Sequence, residues 1–266
     1  MSSLLDIRAL ESRAFRAWPA LETRTMQGWV QRLSGGYTKR ANSINALDPH
    51  GALTGDLRMA LEAPYRQRDL PPVWRLTPLA PAGADALLAE AGYRRIDESL
   101  VQRTTLDGRF APDPEVRIAP APAEDWLAGF AALSPVAPLH REAMARLLRS
   151  IAAPVGFARV EENGRPVAFA LGVVDGDHLG LFDVLVAPQA RRRGLARRLT
   201  QSIGAWGREH GARFAYLQVV ASNAAALRRS RLRDGLPLRL SRVIVSAPGG
   251  TKACRTMSGK RAIRRA

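Results

Sequence analysis

The sequence predicts a mixed α/β fold (α+β) in two segments, and three observations carry that expectation. Tight turn signals join consecutive strands between 155 and 186. A long amphipathic stretch at 192–210 then crosses over to a further apolar strand at 214–220. A proline-rich stretch, 107–125, separates this run from an earlier one. Antiparallel neighbours followed by a helical crossover require a sheet of mixed direction.

The first segment opens with an amphipathic helix over 4–17, stopped at Trp18-Pro19. Strands are expected over 21–33 and 41–47 around a Gly35-Gly36 turn. A helix over 57–68 and a short strand at 73–76 follow. A helix over 85–91 is closed by Gly92, and a last strand spans 100–106. Pro112, Pro114, Pro120 and Pro122 exclude a helix from the junction and leave a linker running into a strand at 115–118. The second segment continues with helices over 123–133 and 140–150. Strands 155–162 and 165–174 flank Asn163-Gly164, and Asp175-Gly176-Asp177 turns the chain into a third strand, 179–186. After the long helix, capped by Gly211, and the strand at 214–220, another helix opens at 223–227.

Composition removes several classes of function. A length of 266 residues, 46% apolar and 24% charged, allows one large or two modest domains and excludes a disordered chain. A single Cys254 excludes a disulfide framework and a cysteine-rich zinc site. The histidines, at 50, 140, 178 and 210, have no metal-ligand spacing, so no metal is expected. No apolar run reaches the ~20 residues of a membrane helix. Asp6 and Arg8 interrupt the apolar N-terminus, which therefore does not read as a signal peptide. A soluble, cytoplasmic protein with no membrane partner is expected; oligomeric state is not legible.

The chemistry-bearing stretch is Pro188-Gln189-Ala190-Arg191-Arg192-Arg193-Gly194-Leu195-Ala196, between a strand and the long helix. A helix N-terminus offers unpaired amides and partial positive charge, Gly194 lets backbone approach a ligand, and three arginines suit phosphate. A solvated basic helix start is the plainer reading of the same residues. Arg191-x-x-Gly194-x-Ala196 resembles the R/Q-x-x-G-x-G/A motif of the GNAT superfamily of N-acetyltransferases. The apolar strand through Val186, Pro188 and Asn223 stand in the same register over about 60 residues. Ala196 replaces the glycine that many members carry.

The resemblance implies acetyl-CoA as co-substrate and transfer of its acetyl group to a primary amine, on a small molecule or a peptide. It implies that the backbone of Leu185 and Val186 holds the pantetheine arm. The amides of Arg192, Arg193, Gly194, Leu195 and Ala196 would take the pyrophosphate beside Arg191, and Asn223 would contact the cofactor where the sheet splays. Backbone N–H groups near Val184–Val186 would stabilise the oxyanion, and Asp183 is the best-placed general base. The stretch 86–106 resembles the last helix and strand of a GNAT domain, and 17–20, 28–29 and 35–43 resemble the first half of two-domain members. The expectation is tandem GNAT-like domains, each a mixed, mostly antiparallel sheet flanked by helices. These are a cofactor-free domain at 1–110, an acetyl-CoA-binding domain at 111–245 and a disordered basic tail at 246–266. Tyr37, Arg40 and Asn42 would face the acceptor between the domains; a plain hairpin turn is the alternative for their loop.

The C-terminus departs from this pattern. From 228 to 266 there are ten Arg, two Lys and a single acid, Asp234, leaving only +5 of the +16 net charge to the preceding 227 residues. All 16 aromatic residues lie before 228. The Tyr that the family uses as general acid after Asn223 is missing, since no Tyr follows Tyr216. The coincidence of these changes predicts a reading frame shifted from about Arg228, with one end of the sheet uncovered and aggregation-prone. A native arginine-rich tail that binds nucleic acid is the second reading, and a catalytically impaired acyl-CoA-binding protein the third.

Overall fold

The computed structural model describes residues 3–134, 136–222 and 238–248. α1 (Leu4–Ala17) starts where expected because Ser3 and Asp6 close a reciprocal capping box around its first turn. The expected strand over 21–33 is instead a hairpin of β1 (Glu22–Met26) and β2 (Trp29–Leu33). Gln27 and Gly28 both adopt positive φ, 45° and 79°, the two-residue turn whose twist matches its strands. β3 (Ser43–Ala46), α2 (Gly55–Arg66), β4 (Trp74–Leu76) and α3 (Ala84–Glu90) follow. β5 (Tyr93–Thr105) begins well before the expected 100, directly after Gly92 at φ 83°.

The second run comprises β6 (Val116–Ala119), α4 (Glu124–Leu133), α5 (Arg141–Arg149), β7 (Val155–Glu162), β8 (Arg165–Asp175) and β9 (His178–Val186). α6 (Leu195–Glu209) starts behind Gly194 rather than at 192, and β10 (Phe214–Val220) matches its expected span. The helix expected at 223–227 lies outside the described residues. β11 (Leu238–Pro248) then forms a strand, which runs past the boundary expected at 245. It corrects the expectation that the residues after 228 leave the sheet uncovered.

The strands form one sheet in the order β1-β2-β3-β4-β11-β5-β10-β9-β8-β7-β6. Its pairs are antiparallel except β3–β4 and β10–β9, which gives the mixed, mostly antiparallel character read from the sequence. The two segments interlace. β5 lies between β10 and β11, and β11 lies between β4 and β5.

Among the described residues, three apolar cores hold this sheet. One packs α2 and α3 on the first half, through Leu61, Tyr65, Trp74 and Leu88. A second packs α6 through Leu195, Leu199 and Ile203 against Ala168, Ala170 and Leu179. The third joins the segments: Leu10, Ala14 and Trp18, in and just after α1, share a core with Trp126, Phe130, Leu147, Phe169, Phe182 and Tyr216. Arg13 and Arg16 of α1 fasten that contact by ion pairs to Asp177 (3.1 Å) and Asp175 (2.7 Å) at the β8–β9 turn. No helix among the described residues is long and apolar enough to cross a membrane.

Candidate active site

The site is built where two neighbouring strands part. β9 and β10 run parallel and paired from His178 opposite Phe214 to Leu181 opposite Leu217, and no further. Beyond that point, among the described residues, β9 keeps only β8, and β10 keeps only β5. A bulge drives the divergence. Phe182 pairs with Leu171 and Leu185 with Phe169, so β9 spends one more residue than β8 over this stretch. Asp183 sits in the bulge at φ 47°, a conformation that Asp adopts more readily than most side chains.

The register after the bulge aims backbone into the gap. Ala187 N–H donates to Val167 O (2.8 Å), which makes Val186 and Ala168 a non-hydrogen-bonded pair. The N–H and C=O of Val186 therefore point away from β8, to the side that β10 has left. Leu185, in the preceding pair, turns its backbone toward β8. The Val186 carbonyl accepts from Arg191 Nε (3.2 Å), which ties the motif loop to the end of the strand.

The loop beyond it ends in an open helix N-terminus. Pro188–Ala190 make one 3₁₀ turn, Arg192 takes φ 63° and Gly194 takes φ 83° as the N-cap of α6. Most caps supply a side-chain oxygen to the first amides; Gly194 has none. The amides of Arg192, Arg193, Gly194, Leu195 and Ala196 donate to no acceptor among the described residues. A Cβ placed on Gly194 meets nothing within 4 Å, so the space before these amides is open. Leu195 and Ala196 point their side chains into the core, and only their backbone can serve a ligand. Arg193 pairs with Glu162 (2.8 Å) in the β7–β8 hairpin. A row of orphan amides beside an unpaired strand edge fits a phosphate joined to an extended amide-bearing arm, and so fits coenzyme A.

On the acceptor side, Tyr37, Arg40 and Asn42 belong to the β2–β3 loop, which closes over β9. Asn42 is fully used inside that loop. Its Oδ1 accepts from Ser34 N (2.7 Å) and Gly36 N (3.0 Å), and its Nδ2 donates to Tyr37 O (2.7 Å) and Thr38 O (3.0 Å). It shapes the loop and leaves no polar atom for a substrate. Tyr37 is 2% exposed, and its hydroxyl has no partner among the described residues. Burial, then the charge of Asp183, pushes its pKa up, so it stays a neutral donor. Arg40 lays its guanidinium against the rings of Trp18 (5.2 Å) and Phe182 (5.4 Å). Asp183 Oδ2 is shut off from solvent without a hydrogen bond. Burial raises its pKa above the usual carboxylate range, and the nearby Arg40 charge opposes that rise. Tyr216 is core, as the buried strand requires, yet its hydroxyl is also unpartnered. Asn223 lies outside the described residues.

Sequence reasoning missed Trp18 and the charged groups behind the loop. Arg32 donates to the carbonyls of Arg40 (2.6 Å), Phe15 (3.2 Å) and Trp18. Arg75 bonds Asn45 (2.7 Å) and faces Glu11 at 3.7 Å. Arginine and glutamate inside amphipathic elements read as surface residues, so no local signal marked them. A separate cavity of about 800 Å³ opens at the far end of α6, by Phe110, Arg208 and Phe214. It shares no residue with the cradle or the β9 bulge.

Fold and site together define an N-acetyltransferase of the GNAT superfamily. The chain belongs to the family described as the C-terminal region of the probable histone acetyltransferase Rv0428c, which it matches over residues 5–233. It is 27% identical over 234 residues to the uncharacterized N-acetyltransferase YobR of Bacillus subtilis, covering 84% of this chain and 91% of that one. It is 30% identical over 228 residues to the probable histone acetyltransferase Rv0428c of Mycobacterium tuberculosis, covering 84% of this chain and 69% of that one. A GCN5-related N-acetyltransferase from Kribbella flavida shares the fold with a TM-score of 0.63 at 14% identity, over 94% of this chain and 97% of that one.

Proposed function

We propose that this acetyltransferase takes its acetyl group from acetyl-CoA held at 182–196 and passes it to a primary amine that enters under the β2–β3 loop. On this reading, residues 111–245 hold the donor and residues 1–110 shape the acceptor side. The observation that carries it is the open gap between β9 and β10, which leads straight to five unpaired amides at the start of α6.

The amides of Arg192 to Ala196 hold the pyrophosphate, with Arg191 bracing the loop on Val186 O. Arg192 adds charge at the mouth. The Val186 N–H, turned into the gap, bonds the pantetheine arm as a neighbouring strand would. Acetyl-CoA, when bound, supplies the activated thioester. Asp183 takes the proton from the acceptor ammonium and leaves an amine lone pair free to attack. The N–C bond that forms replaces the C–S bond that breaks; the electron pair leaves with sulfur, which takes up the second proton from nitrogen and departs as the free thiol. Burial suits Asp183 to this task, because a carboxylate with a raised pKa is a stronger base near neutral pH. The backbone N–H groups near 184–186 would stabilise the charge that develops on the carbonyl oxygen.

Calorimetric titration with acetyl-CoA tests the donor site. Gly194→Glu puts a carboxylate in front of the open amides, and it strains a residue at φ 83° by about 1 kcal/mol. Micromolar binding is expected in the native chain, with at least about a tenfold loss in the variant. Equal binding by a folded Gly194→Glu would remove the cradle from the mechanism.

A further inference from the structure

The seam between the β2–β3 loop and β9 holds an unbalanced set of buried polar groups. Arg32 is 1% exposed and Arg75 3%. Their pKa values move down, that of Arg32 to about 9, chiefly through burial, with Arg75 and Arg40 adding to the fall at Arg32 and Arg40 adding to it at Arg75. The acids within this electrostatic reach are Glu11, which faces Arg75, and Asp183. Among the described residues, two buried guanidinium groups and the half-buried Arg40 therefore stand against two carboxylates, an excess of about one positive charge beside the seam. Burying an uncompensated charge is unfavourable. Arg32 and Arg75 are engaged by carbonyl and amide oxygens. Arg40 is not: its guanidinium makes no hydrogen bond or ion pair with any described residue. It lies against two aromatic rings, an arrangement that supports the flat cation while leaving its N–H edges available.

Beside it stand three unsatisfied buried oxygens, Asp183 Oδ2, Tyr37 Oη and Tyr216 Oη. Unpaired buried polar atoms are rare in folded proteins and call for a ligand or water. The set has a distinct chemical signature. Arg40 offers a fork of donors for an anion, Asp183 offers an acceptor for a cation, and the tyrosine hydroxyls can serve either. A monoamine would satisfy Asp183 and leave both Arg40 and the excess charge unanswered. Building on the proposed acetyl-CoA reading, we infer that the acceptor is a zwitterion: an amine with a carboxylate on or next to the same carbon, as in an α-amino acid. Its carboxylate meets the Arg40 guanidinium edge and its ammonium meets Asp183. Trp18 and Phe182 hold Arg40 in place for that pairing.

The test compares matched ligands on the full chain. L-phenylalanine, L-phenylalaninamide and phenethylamine share a ring and an amine and differ in the carboxylate. A lysine peptide with both termini blocked represents a protein acceptor. Binding is measured by calorimetry with coenzyme A present and absent, and turnover by thiol release. The native chain should prefer the carboxylate-bearing ligand about tenfold or more over amide and amine. Arg40→Gln should bring that ratio near one, and Arg40→Lys should restore part of it. Equal binding of acid and amide by the native chain overturns the inference, as does preference for the blocked peptide. An equal loss for all ligands in Arg40→Gln also overturns it, since Arg40 would then act only through Asp183. Failure of coenzyme A to bind would sink the donor reading alone, because the acid-to-amide ratio is read without donor too. If Arg40→Gln does not fold, the native ratio still decides.

Discussion

Asp183 joins two demands that conflict in one side chain. Its Oδ2 is buried and unpartnered, and burial raises its pKa while Arg40 holds the rise in check. A carboxyl group whose folded pKa exceeds its unfolded value binds its proton more tightly in the folded state. Its contribution favours folding at low pH and is lost as pH climbs through the folded pKa. Asp183→Asn should therefore raise the melting temperature near neutral pH, with the gain vanishing in acid. The same substitution removes the proposed base, and transfer should fall by about 10²- to 10⁴-fold. The native profile of kcat/KM should climb through an acid limb displaced upward from the ordinary carboxylate range. The variant should lack that limb. A variant that keeps activity, or that melts lower at pH 7, would take the base role from Asp183. The position of this acid on the strand beside the motif was legible in the sequence. Its burial was not, because solvent exposure depends on the β2–β3 loop that folds over it from about 140 residues earlier in the chain.

Among the elements, α6 shows how closely the donor site depends on packing behind it. The helix lies on the sheet through small residues. A Cβ at Gly204 would run into the Phe110 ring, and one at Gly207 would stand 2.8 Å from Leu179. From the sheet side, a Cβ at Gly172 would come within 2.6 Å of Ile203. Gly204→Ala should cost about 1–3 kcal/mol in denaturant unfolding, since the added methyl runs into the Phe110 ring and forces it to shift. Acetyl-CoA affinity should change little in the folded fraction, because the cradle sits at the other end of the helix. A neutral substitution would show that Phe110 yields freely. Helices and hairpins were largely readable because their signals are local: the Trp18-Pro19 stop, Asn163-Gly164 and the Arg191–Ala196 motif each lie within a few residues. The Gln27-Gly28 turn was equally local and still went unread, its glycine hidden between two strand-like runs. The β9 bulge left no local mark, since it exists only against the register of β8.

At the scale of the whole chain, the interlaced strand order is what periodicity could not disclose. The proline-rich junction at 107–125 reads as a boundary between independent domains, and the expected cut falls at 110. Hydrogen bonding crosses that cut three times over. β5 fills the place between β10 and β11, and β11 fills the place between β4 and β5. α1 closes the core over α4 and α5, with Trp18 against Phe182 at 5.5 Å. The family match stops at residue 233, near the charge step that suggests a shifted frame, while β11 lies beyond it. Residues 1–110 alone would leave β4 and β5 a strand's width apart with unpaired edges, and 111–266 alone would leave the same gap between β10 and β11. Exposed edges of that kind aggregate. Each piece expressed alone should be insoluble or lack a cooperative melt, whereas the two expressed together should assemble and bind acetyl-CoA. The intact chain should unfold in one transition by both far-ultraviolet circular dichroism and tryptophan fluorescence, because the interlaced strands and the core that α1 shares with α4 and α5 tie the two pieces together. A soluble, cooperatively melting 111–266 fragment would show instead that the acetyl-CoA half stands by itself, and that the shared strands only join two finished domains.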